Sequence, residues 1–262
     1  MKPKISIITS TYWRPDLLSR CIQSVQRSTM RDYEHIIIGD HDPFPKAVYE
    51  EYSEDDRIKY YEVPGPYKYN LGAAAFRVGR AKATSDYICY ALDDDLAHTN
   101  HLQVHYDIFK STNNEASLTL METANLPGEM RNVKAICSLS FEGVQKFVDR
   151  KKHNDVAALS HIRNIKETWS YQSDLNSGLS EDDEYIKRIN AKENLIEEVT
   201  CMKVGWGGHR KKIKGEKVGV DTDYYELLKE KLVEDKRTHS GFRMESDTPY
   251  AYPEFKDTLY GE

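Results

Sequence analysis

The first half of the chain alternates short apolar runs with segments of helical periodicity. Lys4–Thr9 has the composition of a buried strand, and the segment that follows Pro15 places its apolar residues on one helical face. The alternation continues in order as strand 35–38, helix 44–52, strand 57–63, helix 70–83 and strand 87–92. Such an alternation predicts a mainly parallel sheet with helices on both faces. We therefore expect an α/β, doubly wound fold that binds its ligands beyond the carboxyl ends of the strands.

The alternation weakens after the fourth predicted strand. A helix is predicted after Asp95, running to about residue 110, and the runs 117–121 and 133–139 are predicted strands that pair in antiparallel fashion. The later pattern predicts helix 181–190, strand 195–204 and helix 224–233. From 236 to 262 the chain is polar with scattered aromatic residues and no period, which predicts a strap across the domain or a partly disordered tail.

Composition limits the classes of function that the chain can have. The formal net charge of -6 and the isoelectric point near 5.9 give no overall attraction for nucleic acid and leave room only for a local basic face. The four cysteines are scattered without a C-x-x-C spacing, which favours reduced thiols. No run approaches the roughly 18 apolar residues of a membrane span, and the N-terminus lacks the regions of a signal peptide. We expect a soluble, cytoplasmic protein with one domain over residues 1–235.

Three consecutive aspartates, Asp93–Asp95, follow the apolar run of the fourth predicted strand. We refer to them as the aspartate triplet. Carboxylates at a strand's carboxyl end lie where open α/β sheets bind ligands, and they repel one another unless a cation compensates. In an extended segment Asp93 and Asp95 project to the same side, and Asp95 is the first choice for a metal ligand. The triplet thus predicts a divalent cation with a phosphorylated ligand; the alternative is a solvated acidic turn.

Four stretches of the chain resemble the family-2 glycosyltransferases, which have the GT-A type of fold. The resemblance spans roughly residues 4–190, through 5–15, 33–40, 70–95 and 180–188. The third stretch is the most specific, because its spacing matches the run from a glycine-bearing helix into the metal-binding acids. The chain departs from the family at Gly39, which replaces the first of two paired acids, and at Phe76-Arg77, where the family usually has Arg-Asn.

The resemblance implies a metal-dependent, inverting transfer of a sugar from a nucleotide diphosphate, with UDP as the expected nucleotide and a glycan hydroxyl as the expected acceptor. Residues 1–112 would bind the nucleotide-sugar. Residues 113–235 would form the acceptor half, with a smaller antiparallel sheet beside the central sheet. The leaving group needs Mn²⁺ or Mg²⁺, hard cations that prefer oxygen ligands.

The resemblance also implies roles for individual residues near the donor. Thr11, Tyr12 and Asp40 would contact the base, and Arg77 the phosphates, with Arg80 as the alternative. Asp93 and Asp94 would contact the nucleotide-sugar. The predicted metal ligands are Asp93, Asp95 and His209.

Asp182, the second carboxylate of a Glu-Asp pair, maps onto the family's catalytic base, which takes the proton of the acceptor hydroxyl. The alternative is a purely structural role in a helix N-cap that begins at Ser180, and both roles can hold at once. His98, His101 and His105 have helical spacing, and we interpret them as structural or surface histidines rather than a zinc site.

Two further functions stay open from the sequence. The acceptor could be a hydroxymethylated DNA base, which the basic run 210–217 permits without supporting. Alternatively, the protein could be a catalytically silent module that binds a nucleotide-sugar or carbohydrate.

Overall fold

The computed structural model describes residues 2–11, 15–40, 43–63, 71–124, 148–153, 155–169 and 181–204. Tyr12, His209, the basic run 210–217 and the tail 236–262 lie outside these residues, as do the predicted strand 133–139 and the predicted helix 224–233. The predictions made for them stay predictions, as does the domain boundary at residue 235.

Strands and helices alternate through the first half of the chain, as the sequence predicts. The strands are β1 (Ile5–Thr11), β2 (Tyr33–Asp40), β3 (Ile58–Val63), β4 (Tyr87–Tyr90), β5 (Asp95–Ala97), β6 (Ala116–Ala124), β7 (Val148–His153), β8 (Leu159–Ile162) and β9 (Leu195–Val204). The helices are α1 (Pro15–Gln26), α2 (Pro43–Glu51), α3 (Leu71–Lys82), α4 (His101–Ser111) and α5 (Glu181–Arg188).

One mixed sheet contains all nine described strands. Its order is β3-β2-β1-β4-β8-β6-β9-β5, and β7 pairs with β6. β1 pairs in parallel with β2 and β4, and β2 pairs in parallel with β3, so the first half is a doubly wound parallel sheet. From β8 onward the pairing is mixed: β4–β8, β6–β8 and β5–β9 are antiparallel, whereas β6–β9 is parallel. The α/β class is therefore confirmed, while the separate smaller sheet is not formed by the part of the chain that the structure describes.

The core lies between the parallel strands and the helices that cover them. β1 and β2 are almost entirely buried, which explains why both are rich in isoleucine. Gly79 lets α3 approach β1 closely, since a Cβ atom at this position would overlap the side chain of Ile8. Three cysteines, Cys21, Cys89 and Cys201, are buried free thiols, as predicted for a reduced protein.

The helix predicted directly after Asp95 starts later than expected. Asp95 begins β5, a strand of three residues that pairs with the end of β9, and α4 starts only at His101. The backbone N–H of His98 continues this pairing by donating to the carbonyl of Thr200 at 2.8 Å. Because the partner strand lies far along the chain, tertiary hydrogen bonding overrides the local helical pattern here. No helix among the described residues is long and apolar enough to cross a membrane.

Candidate functional site

The aspartate triplet lies in a turn between two strands. β4 ends at Tyr90, Asp93 and Asp94 form the turn, and Asp95 begins β5. Asp93 and Asp95 are only 5% and 3% exposed, so the alternative of a solvated acidic turn is wrong for these two residues. The triplet shares a small pocket with Leu17, Arg20, Leu96 and Val204.

Asp95 is the most confined carboxylate of the triplet. Its Oδ1 accepts a hydrogen bond from the backbone N–H of Val204 at 3.3 Å, and its Oδ2 is buried without a hydrogen-bond partner among the described residues. Burial raises the pKa of Asp95 well above the ordinary value, and the negative charges of Asp94 and Asp155 raise it further. An orphaned, buried carboxylate oxygen is costly to the fold, which is the situation that a bound cation relieves.

Two residues that the sequence analysis did not single out complete the surroundings of Asp95. Lys203 on β9 is the cross-strand partner of Asp95, and its ammonium forms an ion pair with Asp155. Directly opposed residues of antiparallel strands place their side chains on the same face. The Oδ1 of Asp155 is also buried without a hydrogen-bond partner within the described ranges. The one signal in the sequence is a lysine inside an otherwise apolar strand end, Cys201–Val204.

Asp182 lies in the first turn of α5 and is half-buried. Burial raises its pKa to about 7, and the charges of Asp155, Asp183 and Asp94 add to this effect, whereas Lys203 opposes it. α5 packs on the short 3-10 turns 156–158 and 191–194, the first of which directly follows Asp155 and the second of which directly precedes β9. We call Asp94, Asp95, Asp155, Asp182 and Lys203 the charge cluster. Ser180, the predicted N-cap, lies outside the described residues.

The predicted base-binding residues lie at neighbouring strand ends. Thr11 ends β1 opposite Gly39 of β2, and Asp40 follows as the last residue of that strand. The Oγ1 of Thr11 is buried and has no hydrogen-bond partner in the described part of the chain. At Gly39 a Cβ atom would overlap the hydroxyl of Tyr60, so any larger residue there would require that ring to shift.

The N-terminal part of the chain matches a known family. The model of glycosyl transferase family 2 matches residues 6–128, a segment that contains the aspartate triplet. Over these residues the chain is similar to glycosyl transferase family 2. The family-2 segment ends before Asp155, Asp182 and Lys203, so three members of the charge cluster come from outside the match.

Individual proteins resemble this chain over part of their length. Protein CgeD of Bacillus subtilis (strain 168) is 34% identical over 107 residues, which are 39% of this chain and 25% of CgeD. The structure of S. aureus TarS 1–349 has a TM-score of 0.56 at 13% identity and covers 78% of this chain and 60% of that one. Its complex with UDP-GlcNAc has a TM-score of 0.58 at 14% identity, covering 89% and 66%. Because the sequence identity to TarS is this low, the structural similarity shows that the fold is shared and nothing more.

A buried hydrogen-bond network joins the family-2 segment to the helix that carries Asp182. The Nδ1 of His161 lies 2.8 Å from the carbonyl of Ile162, which can only accept, so the ring proton belongs on Nδ1. Nε2 then accepts from the hydroxyl of Tyr90 at 2.7 Å, and the indole N–H of Trp169 donates to the same hydroxyl at 3.0 Å. The ring of Trp169 stacks on Tyr185 of α5 with 4.1 Å between centroids. Because Tyr90 ends β4, the network fixes α5 relative to the strand that precedes the triplet.

The arginines of α3 have different surroundings. Arg80 donates to the carbonyls of Arg163 and Glu167 at 2.8 and 2.6 Å, and also to that of Ile165. The alternative that Arg80 reaches the phosphates is therefore wrong, since its guanidinium anchors the 163–167 segment. Arg77 is half-buried on the same helix, and its phosphate contact stays a prediction.

The three histidines are placed differently around the start of α4. His98 lies outside the helix, between β5 and α4, while His101 is hydrogen-bonded to Thr200 at 3.0 Å and to the carbonyl of Tyr90 at 3.2 Å. His105 packs edge-to-face on His101. Burial lowers the pKa of each histidine below the ordinary value. The expectation of satisfied or surface histidines holds for His101, whereas both ring nitrogens of His105 are buried without a hydrogen-bond partner among the described residues.

The charge cluster has the donor chemistry for a hard cation. No three carboxylate, histidine or cysteine groups within the described residues surround a common point as a complete metal site. However, the buried orphan oxygens of Asp95 and Asp155 are of the type that Mg²⁺ and Mn²⁺ prefer. These ions also take substrate phosphates as ligands, so a few protein oxygens suffice. The residues present therefore fit the predicted cation.

Proposed function

We propose that the protein is a glycosyltransferase that moves a sugar from a nucleoside diphosphate, UDP in the first instance, to a hydroxyl group of an acceptor. The observation that carries the proposal is that α5 brings Asp182 into one charge cluster with Asp94 and Asp95 of the family-2 segment. A carboxylate with a raised pKa beside buried metal-type oxygens is the pair of functions that this transfer requires.

The donor half of the proposal concerns the diphosphate. When the sugar leaves, negative charge develops on the terminal phosphate, and a Mg²⁺ or Mn²⁺ ion bound there would neutralise it as a Lewis acid. Asp93 and Asp95, with Asp155, would hold that ion, and Asp94 would contact the nucleotide-sugar. Their burial keeps water away, so that each charge acts more strongly than in solvent.

The acceptor half of the proposal concerns Asp182. In its ionised form this carboxylate takes the proton of the acceptor hydroxyl while the oxygen attacks the anomeric carbon. The bond between that carbon and the phosphate oxygen breaks, and the configuration inverts because attack comes from the opposite face. A pKa of about 7 suits a general base at neutral pH, since proton transfer is most efficient when the two values are close.

UDP is the proposed nucleotide on two grounds. The TarS structures that share the fold include complexes with UDP-GlcNAc and with UDP. In this chain, Thr11, whose Oγ1 has no hydrogen-bond partner among the described residues, and the end of β2 at Asp40 lie at the sheet edge where α/β folds bind nucleotides. Tyr12 and His209 remain proposed contacts to the base and to the cation.

A glycan hydroxyl is the proposed acceptor. No feature of the described residues favours a DNA base, and the net charge of -6 opposes it. The chain spans only part of CgeD and TarS, so their whole activities are not transferred to it.

Slow hydrolysis of the donor tests the proposal without knowledge of the acceptor. Purified protein is incubated with UDP-GlcNAc, other UDP-sugars and GDP-sugars, with Mn²⁺ or EDTA, and released nucleotide is measured. We expect UDP release from at least one UDP-sugar that EDTA abolishes and Asp95→Asn lowers at least about tenfold, since even indirect contacts to a metal are worth 10–100-fold. UDP binding without any turnover, unaffected by Asp182→Asn, would instead identify a silent binding module. No binding of any nucleotide would refute the proposal.

A further inference from the structure

Lys203 is a positive charge placed inside the proposed cation site. It is the cross-strand partner of Asp95, and its ammonium is held in an ion pair by Asp155. Its side chain is 30% exposed, while that of Asp155 is 10% exposed, so the pair lies at the inner wall of the site rather than on the outer surface. Screening by solvent is weaker there than for a surface ion pair.

The remaining members of the charge cluster are all carboxylates. The charge of Lys203 acts on Asp94, Asp95 and Asp182 as well as on Asp155. Yet the Oδ2 of Asp95 and the Oδ1 of Asp155 stay buried without hydrogen-bond partners among the described residues. Lys203 thus offsets part of the negative charge without satisfying the oxygens that would ligate a cation.

We propose that Lys203 is a built-in counter-cation that weakens divalent-cation binding to the nucleotide-free site and strengthens diphosphate binding, so that cation and nucleotide are taken up together. This inference rests on the proposed function. The ammonium repels an incoming divalent cation and attracts an incoming diphosphate. Once the diphosphate is present, its charge outweighs the repulsion, and the oxygens of Asp95 and Asp155 become available to the cation.

Opposite shifts in two affinities follow from this arrangement. Replacing the ammonium by a neutral group in Lys203→Met should tighten Mn²⁺ binding to the nucleotide-free protein by at least about tenfold, which equals about 1.4 kcal/mol. The same replacement should weaken UDP binding in EDTA by at least about fivefold, the low end of typical couplings between sites. A purely structural role for Lys203 would not shift the two affinities in opposite directions.

The experiment uses the full chain and two direct measurements. Free Mn²⁺ is measured by electron paramagnetic resonance during titration of nucleotide-free protein, and UDP binding is measured by calorimetry in EDTA. Lys203→Arg keeps the charge and should stay within about threefold of the wild type in both. Lys203→Gln, which keeps a polar group beside Asp155, is measured alongside Lys203→Met in case the latter folds poorly.

A matched control exists in another strand. Lys59 of β3 pairs with the buried carboxylate of Glu34 at 2.6 Å and is 38% exposed, but it lies at the opposite end of the sheet from β9 and β5. Lys59→Met should change neither affinity.

The outcomes separate this inference from the proposed function. Unchanged Mn²⁺ affinity in both neutral variants, or a loss of both affinities together, overturns the role of Lys203 even if the wild type releases UDP from a donor. If the wild type binds Mn²⁺ but no nucleotide, the proposed function fails, and so does the claim that Lys203 strengthens diphosphate binding. The Mn²⁺ titration of the variants then still decides whether Lys203 weakens cation binding.

Discussion

The pH dependence of turnover gives the sharpest test of Asp182 as the general base. Its pKa is raised to about 7, chiefly by burial. A base works in its ionised form, so activity should rise with pH through this value. Ionisation of about one tenth of the molecules at pH 6 and about nine tenths at pH 8 predicts a roughly tenfold increase in the rate of UDP release between them. A cation bound nearby stabilises the ionised form, so saturating Mn²⁺ should move the midpoint below 7.

Asp182→Asn removes the base while keeping the size of the side chain. We expect the rate to fall by about two to four orders of magnitude, the usual contribution of a general base, and the rise through pH 7 to disappear. Asp183→Asn is the matched control, because it makes the same change one residue later, where the carboxylate lies 3.9 Å from the ammonium of Lys192. The Asp183→Asn protein should keep the increase in rate with pH. The midpoint of that increase should lie at a slightly lower pH, since the charge of Asp183 contributes to the raised pKa of Asp182.

The assay is initial-rate UDP release at fixed Mn²⁺ between pH 5.5 and 8.5, with the stability of each variant checked by thermal unfolding. If the Asp182→Asn protein keeps more than a third of the wild-type rate and the same pH profile, Asp182 is not the general base. A flat wild-type profile over the same range would contradict the raised pKa.

Three further predictions concern stability and positioning. His161→Phe breaks the bond to Tyr90 and should lower kcat at least about tenfold with little change in UDP affinity, because only the placement of α5 depends on it; an equal loss of both would contradict this. Gly79→Val should lower the free energy of unfolding by about 1–3 kcal/mol in a denaturant titration, because its side chain overlaps Ile8, whereas wild-type stability would refute the close packing. Acid should destabilise the fold, since burial holds the pKa of His35 and His161 near 3 and that of His101 near 4. Unfolding lets each of these histidines take up a proton below about pH 6.5, which costs about 1 kcal/mol per histidine between pH 7 and 5.5; equal urea midpoints at these two pH values would contradict it.

Much of the fold could be predicted because its signals are local. β1 and β2 are buried on both faces, so their apolar runs are unambiguous, and β9 has the predicted bounds 195–204. The start of the helix after Asp95 could not be predicted, because β5 is defined by hydrogen bonds to a strand more than one hundred residues away. The continuation of the sheet through β8 depends on similarly distant pairings.

The site was predictable in part for the same reason. The aspartate triplet is contiguous in the sequence and follows a strand, so its place in the fold could be inferred, while its role in cation binding stays a prediction. Asp182 was assigned by resemblance to a family motif, since nothing in its local pattern distinguishes a base from a helix cap. Asp155 and Lys203 carry no local signal of comparable strength, because their importance arises only when two distant strand ends meet. The roles of Tyr12, Asp40, Arg77 and His209 remain predictions.

The shared sheet has a consequence for how such a protein can move. β4, which leads into the triplet, is hydrogen-bonded directly to β8, and β8 in turn to β6, so no flexible joint separates the two halves of the sheet. Rotation of one half against the other would break these ladders, so we expect the described strands to keep their mutual arrangement when a ligand binds.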